Sequence, residues 1–317
     1  MNNQRITIST FILKTNHDNY PENKTKKIVL KKKIGEGAYG VVYEIESPTN
    51  ETHVIKIFKR PTSDKLILKE SNNLIPLQSE NREILFYYKY INKNCKNNYI
   101  ISVYAIGILR NQFKTNKIII DKNNYFIILP LCVPFYKMFD IYNKPLINEP
   151  NGFIFTIKIM NRLLEASNYL EKTHQLVNLD LKINNFMFPL NSRNLNDIVM
   201  LDFSIVKRKN RDKDDNIYST NQSYYIWPEP PILLDHIPSY SICINGFELL
   251  FGHKNISKIS DNNNKNTLYK ISNFLKIIKE RDSNKNKDIY NIFYNGLIVK
   301  ATTIELLLII NKFLKNN

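Results

Sequence analysis

Cysteine, glycine and long apolar runs are all scarce in this chain of 317 residues. Its three cysteines, Cys95, Cys132 and Cys243, are odd in number, widely separated and without a CxxC pair. That excludes a disulfide framework and a cysteine-based structural zinc site. A reducing compartment is expected: intracellular, either cytoplasmic or nuclear. No uninterrupted apolar stretch reaches about 18 residues, so no membrane span is expected. The first residues, Met1-Asn2-Asn3-Gln4-Arg5, lead into no signal-peptide apolar core. Acidic residues are few as well. Lys and Arg number 45 against 29 Asp and Glu, for a net charge of +16. Such a surface suits acidic partners without choosing among nucleotides, nucleic acid, acidic peptides and membrane surfaces. There is no recognised nucleic-acid module and no basic–aromatic repeat, so direct nucleic-acid binding is not expected as the main function.

What is present suffices for a folded core, since 43% of residues are apolar and 12% aromatic. Residues 1–26 are polar, with an alternating patch from Ile6 to Phe11 that fits a strand or a docked extension. Lys27 to Tyr43 reads as strand, glycine turn and strand, and Val54 to Phe58 as another strand. A helix fits Ser79 to Ile91, and strands fit Tyr99–Leu109 and Ile118–Leu131. After Pro134 the period changes. Phe155, Ile159, Leu163, Ala166 and Leu170 recur at helical spacing within Gly152–Gln175. Short apolar segments at Leu176–Leu181 and Ile198–Phe203 flank a loop. A further helix is expected near Leu268–Glu280. Ile304 to Leu314, the most apolar segment, reads as a buried terminal helix. The pattern predicts an α+β fold, with a small strand-rich lobe over about 27–131 and a larger helical lobe over about 132–317.

Three clusters carry chemistry. Gly35-Glu36-Gly37-Ala38-Tyr39-Gly40-Val41-Val42 has the form GxGxxGxV. Glycines let backbone N–H groups approach phosphate oxygens with no Cβ in the way. The same spacing opens a helix in dinucleotide-binding folds, but here Val41-Val42-Tyr43 continues as a strand, which favours a loop folded over ATP. Downstream, Lys56 sits in the apolar strand Val54-Ile55-Lys56-Ile57-Phe58 and must reach water or meet an anion. The second cluster, Asp180-Leu181-Lys182-Ile183-Asn184-Asn185, is a DLKxxN loop. Phosphoryl transfer needs a carboxylate to orient the attacking hydroxyl, a cation for the γ-phosphate and an oxygen ligand for Mg²⁺. Asp180, Lys182 and Asn185 suit those roles in that order. In the third cluster, Asp202 ends the apolar run Val199-Met200-Leu201 and is well placed as the main Mg²⁺ ligand.

Taken in order, these motifs resemble the eukaryotic protein kinase superfamily. Val54-Ile55-Lys56 resembles its VAIK strand, and Asn81 to Tyr87 its αC helix. The resemblance makes Glu83 the partner of Lys56, with Glu80 as the alternative. Asp180 to Asn185 resembles the catalytic loop, Asp202-Phe203-Ser204 the DFG position, and Trp227-Pro228-Glu229 the APE motif. Lys300 to Leu307 resembles the end of the domain, where Lys300 stands in for an arginine that pairs with the APE glutamate. The resemblance covers residues 27–317 and implies a bilobal kinase fold with ATP and Mg²⁺ as cofactors. It implies protein substrates, which the basic surface would favour if acidic or nucleic-acid-associated. DLKxxN is similar to the serine/threonine type. Glu83 to Tyr87 and Phe126 to Pro130 are faintly similar to the casein-kinase-1 and vaccinia-related group. The Asn-, Lys- and Ile-rich composition suits a large DNA virus, which would place the protein in a host cell, or another AT-rich genome.

The chain departs from the family at several positions. Asn178 and Leu179 replace the histidine and arginine of HRD, and Ser204 replaces the glycine of DFG. The segment near residues 238–251, Pro238 to Cys243 and then Phe247 to Phe251, resembles the family's αF helix without the N-terminal aspartate that supports the catalytic loop, a role Asp235 could fill only if the chain bends suitably. An active kinase is the leading expectation. A catalytically weak pseudokinase scaffold that binds ATP or protein partners is the alternative.

Overall fold

Alternation with a period of two builds the first part of the molecule. In the computed structural model, residues 4–13, 25–37, 40–46, 52–59, 83, 84, 86, 87, 98–114, 119–122, 124–139, 144–209, 233–252, 264–281 and 284–317 are described. The strands are β1 (Gln4–Leu13), β2 (Thr25–Glu36), β3 (Gly40–Ile45), β4 (His53–Phe58) and β5 (Ala105–Leu109). A small hairpin of β6 (Phe113–Lys114) and β7 (Ile119–Ile120) precedes β8 (Tyr125–Pro130). Six of them close into a barrel of order β1-β2-β3-β4-β8-β5. Its interior is aliphatic, with Ile8, Ile55, Ile57 and Ile128 fully buried. β-branched side chains suit the crowded inner face of a sheet.

The alternating patch near the start of the chain is a strand, and it closes the barrel. Ile6 lies opposite Ile28 of β2, and Ile8 lies opposite Leu109 of β5. Ile6 and Ile8 are buried while Arg5 is exposed. Without β1, both β2 and β5 would present unpaired backbone edges. Each buried isoleucine contributes roughly 1.5–3 kcal/mol by removing apolar surface from water.

The chain divides into two compact units, and β9 (Cys132–Pro134) contains the boundary. Unit 1 comprises Met1–Cys132 with Asp202–Ile205, and unit 2 comprises Val133–Leu201 with Val206–Asn317. In unit 2, α1 (Phe135–Phe139) is followed by the long α2 (Gly152–His174). An added Cβ at Gly152 would lie 1.7 Å from the Leu146 carbonyl oxygen, so only glycine fits there. Helix α2 buries Ile159, Leu163, Ala166 and Leu170 on one stripe. It stops at Gln175, which is left-handed (φ 55°) and returns its N–H to the Leu170 and Glu171 carbonyls.

Strand β10 (Leu176–Asn178) leads into the catalytic-type loop, and β11 (Phe186–Pro189) pairs with β12 (Val199–Met200) behind it. β13 (Val206–Arg208) pairs back onto β10. Helix α3 (Ile237–Phe251) is buried along its whole length. Helices α4 (Asn264–Glu280), α5 (Asn284–Tyr294) and α6 (Thr303–Lys315) complete the unit. Among the described residues, no helix is long and apolar enough to cross a membrane. Helix α6 starts on a capping box between Thr302 and Glu305. The expectation of a buried terminal helix needs correction on one face. Leu306, Ile310 and Phe313 are buried, but Ile304 and Leu308 are 45% and 65% exposed. The apolar run exceeds the width of the buried stripe.

Candidate active site

Unit 1 carries the phosphate-type loop and a buried charge cluster. The loop is the turn between β2 and β3, where Gly37 N–H donates to the Gly40 carbonyl at 3.0 Å. An added Cβ at Gly35 or Gly37 would meet nothing within 4 Å, so these positions leave open space for a ligand. At Gly40 it would lie 2.9 Å from the Ile57 carbonyl oxygen, so β4 passes too close for any other residue. Ala38 and Tyr39 lie outside the described residues. Lys59 holds the loop from β4's end, donating to the Gly37 carbonyl at 2.8 Å and pairing with Glu36 at 2.9 Å. Lys33 pairs with Glu36 too. Hydrogen bonds from Lys33 and then Lys59 pull the Glu36 carboxyl down to about 2.

Lys56 lies at the centre of β4, opposite Val42 of β3 and Ile127 of β8. Its Nζ stands 2.5 Å from Glu83 Oε2 and 5.2 Å from the centre of the Phe58 ring. The Glu83 side chain is 3% exposed and that of Lys56 19%. Burial opposes the ammonium, but the Glu83 and Asp202 carboxylates outweigh it and raise the Lys56 pKa. Burial raises the Glu83 pKa beyond what Lys56 offsets, and Asp202 adds to the rise. The glutamate expected to pair with Lys56 does so. Glu80, the alternative, lies outside the described residues.

Asp202 shares this cluster and has a left-handed backbone (φ 60°), which aspartate tolerates better than most residues. Its Oδ1 accepts from the Ser204 N–H at 3.2 Å, a local turn that favours the conformation. Ser204 has no positive φ, so no glycine-only angle is demanded where the glycine of DFG would stand. Phe203 is fully buried and stacks on Phe86 with ring centres 3.8 Å apart. Tyr87 meets Phe203 edge-on at 5.6 Å.

Unit 2 carries the second cluster on the loop after β10. Lys182 Nζ lies 2.7 Å from Asp180 Oδ2. The Asn185 amide donates to the same oxygen at 3.0 Å and to the Asp180 carbonyl at 2.8 Å. The Asp180 N–H in turn donates to Asn178 Oδ1 at 3.0 Å. Asn178 stands where the family's histidine would brace this loop. It is buried, caps the Asp180 amide and contacts Met200 Sδ at 3.6 Å. Leu179 is buried, consistent with an apolar residue at a position where the family has arginine.

Several groups here are silent in the sequence. Glu171 of α2 is buried and accepts from Thr303 Oγ1 at 2.6 Å and from Lys209 at 3.2 Å. Burial raises its pKa despite both donors. Lys209 also pairs with Asp235 at 3.1 Å. Asp235 is thus engaged by Lys209, and the side chain seen supporting the catalytic-type loop from the buried helix is Asn245, which donates to the Leu181 carbonyl at 2.9 Å. A lone asparagine in the apolar run Ser241–Phe251 was the signal for it. Trp227, Pro228 and Glu229 lie outside the described residues, so Lys300 has no described partner from that motif.

Each unit carries an oxygen donor of the kind a hard cation takes. Asp202 offers carboxylate oxygens. Asn185 commits its NH₂ to Asp180, which leaves its amide oxygen as the ligand atom. Mg²⁺ takes one or two protein oxygens and completes its shell with phosphates and water. It therefore needs no cluster of three or more His, Cys, Asp or Glu, and none occurs among the described residues.

The protein kinase domain family matches residues 28–317. Among solved structures, the chain is similar to the ROP18 kinase domain in complex with AMP-PNP and sucrose, with a TM-score of 0.62 at 14% identity. That match covers 97% of this chain and 84% of the other. No protein of curated function matches the sequence. The fold is the α+β, bilobal protein kinase fold, and the chain belongs to the protein kinase domain family.

Proposed function

We propose that this protein is an active serine/threonine kinase that transfers the γ-phosphate of ATP to hydroxyl groups of protein substrates. The observation that carries the proposal is the Asp180 carboxylate, held by both Lys182 and Asn185. A carboxylate fixed in this way is ready to orient a hydroxyl and accept its proton as transfer proceeds. Lys182 steadies the γ-phosphate. Gly35, Glu36, Gly37, Ala38, Tyr39, Gly40 and Val42 cover the phosphates through the backbone. Lys56, set by Glu83, pairs with phosphate oxygens. Asp202 and Asn185 would hold Mg²⁺, which when bound would neutralise charge developing on the phosphoryl oxygens. Catalysis of this kind rests on placement and electrostatics. Lysine two residues after Asp180 supports the serine/threonine type, and the net charge of +16 supports acidic substrates inside the cell.

The scaffold reading draws on Asn178, Leu179 and Ser204. Capping of Asp180 by Asn178 and the ordinary backbone of Ser204 support an active site instead. Asp180→Asn decides the matter. It should lower phosphate transfer by about 10²–10⁴-fold while the Mg²⁺·ATP thermal shift stays. Retained turnover refutes the mechanism. ATP binding by the wild type without transfer supports the scaffold.

A further inference from the structure

The loop that carries Asp180 is built from asparagines. Asn178 caps the Asp180 N–H, and Asn185 binds both the Asp180 carbonyl and its carboxylate. Backbone bonds run from Lys182 N–H to the Asp180 carbonyl at 3.1 Å and from Asn185 N–H to the Lys182 carbonyl at 2.8 Å. These contacts all lie within the segment from Asn178 to Asn185 and move with it. The Leu181 carbonyl, between Asp180 and Lys182, is bound from outside. Its donor is Asn245 Nδ2 at 2.9 Å, 64 residues away in sequence.

Asn245 sits near the middle of α3, a helix buried along its entire length, and is itself fully buried. Placing an amide there is unfavourable unless its hydrogen bonds are made. An apolar residue would fill the same space more favourably, as Ile244 and Phe247 do on either side. Gly246, the next residue, brings α3 close to its neighbours. An added Cβ there would lie 2.5 Å from Met160 Sδ of α2 and 2.8 Å from the Phe293 ring of α5. The helix is therefore wedged in place, and the amide it presents is a fixed point.

We infer that Asn245 is a positioning residue for phosphoryl transfer. It anchors the Leu181 carbonyl to the rigid core of unit 2, and so sets the placement of both Asp180 and Lys182. This inference rests on the roles proposed above for those two residues. It assigns the support of the loop to the middle of the helix, where the family resemblance would look for an aspartate at its start.

The test compares wild type with Asn245→Leu, which keeps the branched outline and removes the donor. Transfer to dephosphorylated casein, an acidic protein, gives kcat and KM for ATP, and hydrogen–deuterium exchange follows the peptide 176–190. We expect kcat to fall about 10–100-fold, the scale of a small misplacement of catalytic groups. KM for ATP should stay within about twofold, because uniform binding is untouched. Exchange of the Lys182 and Asn185 amides should quicken about tenfold as one buried bond is lost. A merely structural asparagine would lower the melting temperature and leave kcat per folded molecule unchanged, and that result overturns the inference. If Asn245→Leu does not fold, Asn245→Ser, whose hydroxyl is too short to reach, carries the same measurements. If wild type itself transfers no phosphate, the kinase reading fails on its own. Exchange still judges the anchor: unchanged protection of 176–190 in the variant overturns it, and loss of protection upholds it.

Discussion

Replacing Lys56 with methionine strips a buried carboxylate of its counter-charge, and the cost can be worked from the geometry. Glu83 is 3% exposed and its Oε2 lies 2.5 Å from Lys56 Nζ. Removing one member of a buried pair costs about 3–5 kcal/mol, because the other charge is left without compensation. Lys56 is 19% exposed, so some water already reaches the pair, and about 3 kcal/mol is the fitting figure. Asp202, a second carboxylate in the same cluster, keeps the penalty from falling further.

The deficit depends on pH. Burial already raises the Glu83 pKa above its ordinary value, and loss of Lys56 raises it more. A folded-state pKa above the unfolded one means that stability is greatest below the unfolded value, about 4.3, and is lost as pH rises through the folded one. The Lys56→Met deficit should therefore be largest near pH 7.5 and shrink towards pH 5. Adding Glu83→Gln should recover at least half of it at pH 7.5, since a neutral amide costs less to bury than a charge. Equilibrium urea denaturation of both variants and the double variant at each pH closes the cycle. A single variant as stable as wild type at pH 7.5 would refute the buried-pair account. So would a double variant that loses the sum of the two single costs.

Ile8→Ala should cost about 2–4 kcal/mol and lower the melting temperature of the whole unit, because Ile8 is fully buried where β1 meets β5. Ile34→Ala, at a position 44% exposed, should cost less than about 0.5 kcal/mol, and equal losses at the two sites would rule out β1 as a barrel strand. The Glu36 carboxyl should titrate near 2 by carbon NMR. Its pairs with Lys33 and Lys59 then contribute at every pH above its ordinary range near 4.5 and fade only as pH falls towards 2, whereas a midpoint near 4.5 would show that the loop clamp does not form. Phosphatase treatment should leave transfer activity intact. Leu179 supplies no cation for a phosphate, and Lys209 is already committed to Glu171 and Asp235. A large loss traced to residues 205–226 would count against this.

Local chemistry made much of this protein readable from its sequence. The glycine spacing at 35–40, a lysine in an apolar strand and the DLKxxN loop each state a need that neighbouring residues must meet. The helix over Gly152–His174 was legible because its apolar stripe is regular. The pairing of Lys56 with Glu83 came from family resemblance, since no local pattern links positions 27 residues apart. Other features depend on distant segments meeting. β1 becomes a barrel strand only because β2 and β5 both offer it an edge. Glu171 gains its partners from Thr303 and Lys209, and the Leu181 carbonyl gains its donor from Asn245. The sequence alone determined which candidate groups this protein offers for phosphate, metal and proton, because those demands are set by residue type and short spacing. The tertiary structure decided what holds them in place, because a hydrogen bond across 64 or 132 residues leaves no periodic trace in the chain.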